Sequence, residues 1–177
     1  MKDLVILVDE NDNPLGNIVK AEAHLKGLLH RAFSIFIFNG EGKLLLQKRA
    51  QTKYHSGGLW TNTCCGHPSP GEIISDAANR RLYEEMKIKT PLSSVCSFKY
   101  KADLNNGLIE HEIDHVFYGL TDQVPEPDPL EAEDWKYIDP INLVSDINKQ
   151  PEIYTAWLKI CIDRKIFDEL IKRIFRS

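Results

Sequence analysis

The sequence predicts a single domain of mixed α and β structure, in the α+β or mixed-sheet α/β class, and two observations lead to this prediction. The 177 residues suffice for one domain with a substantial core and are too few for two domains of ordinary size. Strand-forming runs and helical periodicity also follow one another in the order strands, helix, strands, helix. No internal repeat or linker interrupts this order, so we expect one domain over residues 1–177, with its core at about residues 30–165.

The first half of the chain predicts strands followed by a helix. Leu4–Asp9 predicts a strand, and Phe33–Phe38 predicts a stronger one because its run FSIFIF is almost entirely apolar. The turn-forming NGEG then predicts a hairpin whose return strand is Lys43–Lys48. Asn62–Gly71 predicts a loop, and Ile73–Met86 predicts a charged helix whose apolar residues fall roughly on one face.

The second half repeats this order. Val95–Ala102 and Glu110–Leu120 predict two strands joined by the turn DLNNG. Residues 122–134 are acidic and contain prolines, which predicts a loop, and DWKYID predicts a short strand after it. A helix is predicted over Pro140–Asp146, and the apolar spacing from Glu152 to Phe175 also predicts helix. The expected architecture is therefore mixed β-sheets flanked by helices.

Composition and charge exclude several classes of protein. With 42% hydrophobic and 27% charged residues, the chain has the composition of a soluble globular domain. Its net charge of -4 argues against a general nucleic-acid binder, which is usually basic. The longest early apolar run, Leu4–Val8, is too short for a signal-peptide core or a membrane span. We therefore expect a cytoplasmic protein with no nucleic-acid or membrane partner. We also expect a monomer, although composition and charge do not bear on the oligomeric state.

The stretch TNTCCGHPSPGE, residues 61–72, places two adjacent cysteines beside a histidine and a turn. Without an export signal, all four cysteines of the chain are expected to be reduced. Most reduced cysteines are small apolar core residues, which is the expectation for Cys96 and Cys161. Cys64 and Cys65 lack the CxxC spacing of a zinc knuckle, so a cysteine here is either a buried packing residue or a reactive thiol.

The predicted helix and the loop before it resemble the sequence frame of the Nudix family. Gly66, Glu72 and Arg80 have the spacing of that frame, and RLYEEMKI continues it. The frame places acidic groups beside a divalent cation that grips a diphosphate, because hard carboxylate oxygens suit Mg²⁺ and Mg²⁺ bridges phosphate oxygens. The sequence therefore indicates a metal-dependent site that handles a diphosphate.

Two departures from the frame bear on the chemistry. Arg81 stands where the frame has glutamate, and Lys87 stands where it has glycine. A Nudix hydrolase relies on its glutamates to bind metals and activate water. The arginine therefore depletes the site for hydrolysis and adds a charge that can bind diphosphate. Glu85 keeps its place in the frame and is a candidate metal ligand, whereas the role of Glu84 stays open.

A second group of candidate ligands combines histidines with carboxylates. His24 and His30 flank LKGLL, and His67 follows in CGH. Glu110 and Glu112 alternate along a predicted strand, so both point to one face, where they repel unless a cation or a shared proton relieves them. Three histidines and two carboxylates suit a five-ligand octahedral site with one open position. A solvated sheet edge is the alternative for the two glutamates.

Together these motifs resemble the type I isopentenyl diphosphate isomerases, an offshoot of the Nudix fold. They run in the family's order over about residues 4–160, as AHLKGLLHRAF, LLLQKRAQTKY, GLWTNTCCGHP, RRLYEE, FKYKAD, IEHEID and YTAW. The combination is specific, because a cysteine before Gly-His together with a Glu-x-Glu strand is not expected by chance. The resemblance implies a Nudix-like fold for the single domain.

The resemblance implies a role for each matching residue. One divalent ion, Mn²⁺, Zn²⁺ or Mg²⁺, would be bound by His24, His30, His67, Glu110 and Glu112. Cys65 would be the catalytic thiol, and Cys64 would be a packing residue. Tyr100 would hydrogen-bond near Glu112, and Trp157 would face the reacting carbon skeleton.

The resemblance also implies how a diphosphate is held. Glu85 and the backbone carbonyl of Cys65 would bind a second ion, Mg²⁺, against it. Four cations would contact its oxygens, namely Lys20, Arg49, Lys53 and Arg81. The implied partner is a small isoprenyl diphosphate substrate, and no flavin is implied.

The implied reaction converts isopentenyl diphosphate into dimethylallyl diphosphate, in isoprenoid biosynthesis, through a tertiary carbocation. A thiol and a carboxyl on opposite faces of the five-carbon unit can add one proton and remove another, and which group does which stays open. One alternative is a Nudix hydrolase of a nucleoside or prenyl diphosphate, against which Arg81 argues. The other is a non-catalytic metal-binding module, in which Cys65 is dispensable.

Overall fold

A computed structural model describes residues 3–175, so residues 1, 2, 176 and 177 of the predicted domain lie outside the description. Within it, one connected mixed sheet of nine strands carries helices on both faces, which confirms the predicted fold class. No helix in residues 3–175 is long and apolar enough to cross a membrane. In chain order the elements are β1 (Leu4–Val8), β2 (Pro14–Val19), α1 (Lys20–Lys26), β3 (His30–Phe38), β4 (Leu44–Arg49), β5 (Trp60–Thr61), β6 (Cys64–Gly66), α2 (Ile74–Met86), β7 (Ser93–Asp103), β8 (Ile109–Leu120), β9 (Ala132–Ile138), α3 (Pro140–Lys149), α4 (Ala156–Asp163) and α5 (Ile166–Phe175).

Strand β3 lies at the centre of the sheet. Strand β8 pairs with it in parallel along its whole length, in a register that sets His30 beside Glu112. Along the other edge, β1, β6 and β4 each pair antiparallel with a different part of β3. The pairing with β6 sets Cys65 beside Ser34. Residues far apart in the sequence thus meet on β3 and its two neighbours.

The core lies in two layers, one on each side of the sheet. Phe33, Ile35 and Ile37 of β3 pack with helix α2, whereas Phe36 and Phe38 pack with α3, α4 and α5. The alternation follows from the strand geometry, in which successive side chains point to opposite faces. Because β3 is buried on both faces, its sequence is nearly continuously apolar.

Several segments differ from the prediction. The predicted loop Asn62–Gly71 contains strand β6, whose three residues are too few to show a strand pattern. Strand β2 is mostly exposed and therefore lacks an apolar face, and helix α1 has only seven residues, so neither was predicted. The helical stretch predicted from Glu152 to Phe175 is divided into α4 and α5, because Lys165 between them has a φ of 58°.

Lys87 ends helix α2 in the left-handed conformation, with φ 57° and ψ 22°. Glycine reaches this conformation without the steric cost of a Cβ atom, which explains why the Nudix frame has glycine at this position. A side chain there costs the folded state about 1–2 kcal/mol. Lysine in place of glycine at position 87 therefore leaves the backbone strained at the end of α2.

We expect Lys87→Gly to raise the free energy of unfolding by roughly 0.5–1 kcal/mol, because the strain relieved exceeds the entropy added to the unfolded chain. Urea denaturation measures this change. Lys89→Gly is the matched control, since Lys89 is also exposed but lies outside the left-handed region, and its replacement should destabilise the fold. A lower stability of Lys87→Gly would contradict the strain assigned to Lys87.

Candidate active site

A cluster of histidines and glutamates lies beside β3. His30 begins β3 and stands beside Glu112 of β8, and His67 directly follows β6. His24 comes from α1, which ends at Gly27 with φ 61°, a conformation that favours glycine. This turn ends α1 before β3 begins, and His24 lies against the sheet, 3.3 Å from Glu110 of β8.

Glu112 is the hub of the cluster. Its Oε1 lies 2.8 Å from His67 Nε2 and 3.3 Å from His30 Nε2. Its Oε2 accepts a hydrogen bond from the Tyr100 hydroxyl at 2.6 Å. His24, His30, His67 and Glu112 each offer a ligand atom within 4.8 Å of the others. Ligands about 2.1 Å from one ion are about 3.0–4.2 Å apart in an octahedron, so these atoms are nearly in place for one cation.

Buried atoms without partners indicate that the cluster fits a divalent cation. His24 Nε2, His30 Nε2 and Glu110 Oε2 are buried, and none of them forms a hydrogen bond, although each lies 3.3 Å from an atom of the cluster. Such an atom costs about 1–3 kcal/mol, so three together call for a ligand. The other ring nitrogens are held by the Tyr54 hydroxyl at His24 and by the Leu28 carbonyl, 2.8 Å away, at His30. Metal-bound histidines commonly have this kind of outer partner.

The protonation states also suit a cation. Burial and the charge of Lys20 lower the pKa of His67 to about 3, which leaves the imidazole neutral and able to bind a metal. Burial opposes ionisation of Glu112, yet its close contacts with His30 and His67 hold its pKa well below the usual range. Burial and the nearby Glu112 charge raise the pKa of Glu110. A divalent cation would relieve the repulsion between these two carboxyl groups.

Glu110, the fifth predicted ligand, belongs to an overlapping group with His24 and His55. Its Oε2 is 3.3 Å from His24 Nε2, and its Oε1 is 3.5 Å from His55 Nε2. The three ligand atoms of this group also lie within 4.8 Å of one another. Burial and the charge of Arg49 lower the pKa of His55 to about 3, so this imidazole is neutral. His55 was not among the predicted ligands.

The two adjacent cysteines have different surroundings. The Cys65 thiol donates a hydrogen bond to Asn62 Oδ1 at 3.0 Å, and Ser34 Oγ lies 3.8 Å from its sulfur. Burial, together with the charge of Asp114, raises the pKa of Cys65 to about 12, so the thiol holds its proton at neutral pH. Cys64 is fully buried in the core layer beneath α2. Successive residues of a strand point to opposite faces, which separates the two sulfurs.

One cavity is lined by the four residues predicted to be catalytic, which are Cys65, Tyr100, Glu112 and Trp157. Ala32 and Phe33 add apolar wall. The indole of Trp157 is fixed by a hydrogen bond from its Nε1 to Thr61 Oγ1 at 2.8 Å. The Arg49 guanidinium lies 5.3 Å from the centre of the indole, so this ring faces a cation in the free protein.

An adjoining pocket is lined by the four predicted diphosphate contacts, Lys20, Arg49, Lys53 and Arg81. Lys20 and Arg49 also line the catalytic cavity, so they lie where the two spaces meet. Arg49 Nε is buried without a hydrogen-bond partner, which leaves a donor for an anion. The pocket therefore offers cationic groups beside the predicted reacting centre.

Glu85, the predicted ligand of the second ion, is buried and lines the same pocket as Cys65. Its Oε1 accepts a hydrogen bond from Arg81 at 2.5 Å, and its Oε2 accepts one from Gln47 at 2.9 Å. A carboxylate has about four lone-pair sites, so Glu85 retains sites for an ion. The carboxylate is thus held in place by its neighbours while it can still bind Mg²⁺.

The site also contains residues that the sequence motifs did not indicate. Ser34 Oγ donates a hydrogen bond to Asp114 Oδ2 at 2.7 Å and lies 3.8 Å from the Cys65 sulfur, so Ser34 stands between Asp114 and Cys65. Burial, together with the charge of Glu112, raises the pKa of Asp114 to about 8. Asp114 follows Glu112 by two residues, as Glu112 follows Glu110, so the alternation along the strand could have predicted that Asp114 shares their face. No sequence pattern indicated Asn62, which accepts the hydrogen bond from the Cys65 thiol.

Glu131 is a further residue of the cationic pocket that was not predicted. Its carboxylate forms ion pairs with Lys53 and with Arg81, the latter at 3.0 Å. It lies just before β9, at the end of the acidic segment predicted to be a loop. Glu131 therefore holds two of the four predicted diphosphate contacts in the free protein.

We expect Glu131→Gln to bind inorganic pyrophosphate more tightly when Mg²⁺ is absent. The substitution frees Lys53 and Arg81 and removes a negative charge next to the anion, worth about 1 kcal/mol or roughly fivefold in Kd. Calorimetric titration measures it. Glu133→Gln is the matched control, because Glu133 pairs with Lys48 outside the pocket and should not alter the affinity. Weaker binding to Glu131→Gln would contradict competition for the two cations.

Comparison with known proteins agrees with this geometry. The NUDIX domain matches residues 28–158. A solved structure of protein DR0079 from Deinococcus radiodurans superposes with a TM-score of 0.72 at 19% identity, covering 96% of this chain and 98% of that one, which shows a shared fold. Isopentenyl-diphosphate Delta-isomerase 2 of Aromatoleum aromaticum is 54% identical over 94% of this chain and 88% of its own length. The chain belongs to the isopentenyl-diphosphate Delta-isomerase family of NUDIX-domain proteins.

A second member of this isomerase family supports the same placement. Isopentenyl-diphosphate Delta-isomerase 2 of Photorhabdus laumondii is 51% identical over 96% of each chain. The resemblance drawn from the motifs is thereby confirmed. In the present chain, Lys20 and His24 lie on α1, outside the segment that matches the NUDIX domain. Helix α1 thus brings a predicted metal ligand and a predicted diphosphate contact to the NUDIX core.

Proposed function

We propose that this protein interconverts isopentenyl diphosphate and dimethylallyl diphosphate. The observation that carries the proposal is one cavity in which a thiol, Cys65, a carboxylate, Glu112, and an indole, Trp157, adjoin a cationic pocket. Relatives that are about half identical over nearly the whole chain are isopentenyl-diphosphate Delta-isomerases, which supports the same reaction. The protein is an isomerase, and its substrate is a small isoprenyl diphosphate. It would act as a monomer in the cytoplasm, in isoprenoid biosynthesis.

Cys65 and Glu112 form the proposed proton-transfer pair. The reaction adds one proton to the substrate and removes another, so the pair ends each turnover with the number of protons it had at the start. The Cys65 thiol holds a proton, since burial raises its pKa. Glu112, whose low pKa leaves it ionised, can accept a proton, and the Tyr100 hydroxyl donates a hydrogen bond to this carboxylate. Phe33 and Trp157 line the cavity and would exclude the water that quenches a carbocation.

The proposed metal site uses the five residues His24, His30, His67, Glu110 and Glu112, for Mn²⁺, Zn²⁺ or Mg²⁺. When bound, a divalent ion supplies positive charge that offsets the two buried carboxylates. His30 and His67 hold Glu112 in position through their contacts with its Oε1. His24 Nε2 and His30 Nε2 are buried and form no hydrogen bond, which supports this assignment.

The proposed diphosphate site uses the four cations Lys20, Arg49, Lys53 and Arg81. Glu85 and the backbone carbonyl of Cys65 would hold Mg²⁺ against the diphosphate. Binding in this pocket would place the five-carbon chain in the adjoining cavity, because Lys20 and Arg49 line both spaces. The diphosphate thus serves as an anchor, and the reacting carbons meet Cys65 and Glu112.

Incubation of the pure protein with isopentenyl diphosphate and Mg²⁺ tests the function. We expect dimethylallyl diphosphate to accumulate without release of phosphate. A sample stripped of divalent ions by a chelator is the control, and it should lose turnover and regain it when the ions are restored. Release of phosphate or of a monophosphate would identify a Nudix hydrolase instead. No product from the metal-loaded protein would identify a non-catalytic metal-binding module.

Replacement of Trp157 tests the carbocation. A substrate analogue with an ammonium in place of the cationic carbon should bind far more tightly than the substrate, because it carries the charge of the transition state. We expect Trp157→Leu to weaken the analogue selectively by about 2 kcal/mol, or roughly thirtyfold, which is the size of a cation–π interaction in a desolvated site. The inhibition constant of the analogue and the dissociation constant of the substrate are measured for each variant.

Two further variants control this test. Trp157→Phe loses the same hydrogen bond to Thr61 but keeps an aromatic face, so it should retain most of the preference for the analogue. Arg49→Ala should weaken substrate and analogue alike, because both carry the diphosphate that Arg49 is proposed to bind. Equal losses for substrate and analogue in Trp157→Leu would mean that the ring is a packing residue.

A further inference from the structure

His55 is a buried histidine, 7% exposed, in the loop between β4 and β5, and it lines the catalytic cavity. Its Nε2 faces Glu110 Oε1 at 3.5 Å. Its ring stands edge-on to the ring of His24, with 5.4 Å between centroids, and edge-on to Trp157 at 6.0 Å. The His55 side chain therefore borders both the proposed metal ligands and the space for the substrate.

We infer that His55 is a sixth protein ligand of the His/Glu metal site, an inference that rests on the metal site of the proposed function. His24 belongs both to the group with His30, His67 and Glu112 and to the group with His55 and Glu110. Its Nδ1 is engaged by the Tyr54 hydroxyl, so only Nε2 is free. An imidazole nitrogen has one lone pair and binds one ion. The two groups therefore converge on a single ion.

A packing role explains the surroundings of His55 less well. The 3.5 Å separation between His55 Nε2 and Glu110 Oε1 is long for a hydrogen bond, so this contact satisfies neither atom well. The other nitrogen of His55 has only a 3.4 Å contact with Ser56 Oγ. On the far side of the same carboxylate, Glu110 Oε2 is buried without a hydrogen-bond partner. A cation between these residues satisfies His24 Nε2, His55 Nε2 and the Glu110 carboxylate at once.

The additional ligand changes what the site can bind. Four imidazoles and two carboxylates fill the six positions of an octahedral ion, which leaves no position open for water or substrate. A set with four nitrogen ligands favours Zn²⁺ over Mg²⁺, because imidazole suits Zn²⁺ whereas Mg²⁺ prefers oxygen ligands and retains several waters. The substrate would then be contacted by Glu112 and Cys65 themselves.

X-ray absorption fine structure of the Zn²⁺-loaded protein counts the imidazoles bound to the ion. We expect four in the wild type and three in His55→Phe, whose ring keeps the edge-on packing against Trp157. His55→Phe should bind Zn²⁺ at least tenfold more weakly, because even the loss of an outer-shell partner costs roughly 10–100-fold. His55→Asp should regain affinity with three imidazoles. His115→Gln, which removes a histidine bonded to Asp12, is the matched control and should keep four.

The outcomes separate this inference from the proposals on which it rests. Three imidazoles in the wild type, or an unchanged Zn²⁺ affinity in His55→Phe, would overturn the role of His55 and leave the five-ligand site standing. A wild-type protein that binds no Zn²⁺ would overturn both. The turnover assay with isopentenyl diphosphate reports independently on the isomerase function. Should His55→Phe fail to fold, the wild-type count and the count in His55→Asp decide the question.

Discussion

Cys65→Ala is expected to lose nearly all isomerase activity, with kcat lower by roughly 10²–10⁴-fold, the usual contribution of a positioned acid–base group. The Cys65 thiol lines the cavity with Glu112 and Trp157, and it donates a hydrogen bond to Asn62 Oδ1 in the free protein. Alanine keeps the backbone pairing of β6 with β3 but removes the thiol and its exchangeable proton. The formation of dimethylallyl diphosphate from isopentenyl diphosphate measures the loss.

Cys64→Ala is the matched control for this substitution. Cys64 is the neighbour of Cys65 on the same strand, but it packs with Leu82 and Met86 of helix α2 on the opposite face of the sheet. We expect its activity to stay within a few-fold of the wild type, while the free energy of unfolding falls by about 1 kcal/mol through the lost packing. Near-normal turnover of Cys65→Ala would remove the thiol from the proposed chemistry.

The parts of the fold and site that could be predicted depend on short-range patterns. The apolar run of β3 predicts a buried strand, and the period of two along β8 predicts that Glu110 and Glu112 share a face. Their encounter with His30 depends on the parallel pairing of β3 with β8, which no local pattern specifies. The resemblance to a family, carried by whole motifs, supplied that long-range information.

Some of the residues and pairings that escaped prediction lie in loops or in very short elements. His55 and Glu131 come from loop segments, where side-chain positions follow from tertiary packing and not from periodicity. Cys65 lies on a three-residue strand inside a segment rich in turn-forming residues, so its pairing with Ser34 was hidden. Lys165 interrupts an apolar helical pattern through its backbone conformation alone, which the spacing of apolar residues does not report.

Glu112→Gln is expected to lower kcat as strongly as Cys65→Ala, by roughly 10²–10⁴-fold. Glutamine keeps the size of the side chain and can still accept the Tyr100 hydroxyl, but it cannot exchange a proton at this position. It also removes the charge that His30 and His67 face. Because Glu112 is proposed both as a metal ligand and as an acid–base group, turnover and metal content are measured on the same samples.

Glu110→Gln separates these two roles of Glu112. Glu110 lies two residues away on the same face of β8 and is proposed as a ligand only, so its variant should bind metal weakly and regain turnover when metal is saturating. Glu112→Gln should stay inactive under the same conditions.

The double variant Cys65→Ala/Glu112→Gln is expected to be about as slow as the slower single variant, because loss of either group stops the same proton exchange and such effects are not additive. Fully multiplied losses would contradict a shared reaction. Normal turnover of metal-loaded Glu112→Gln would leave Glu112 a ligand alone.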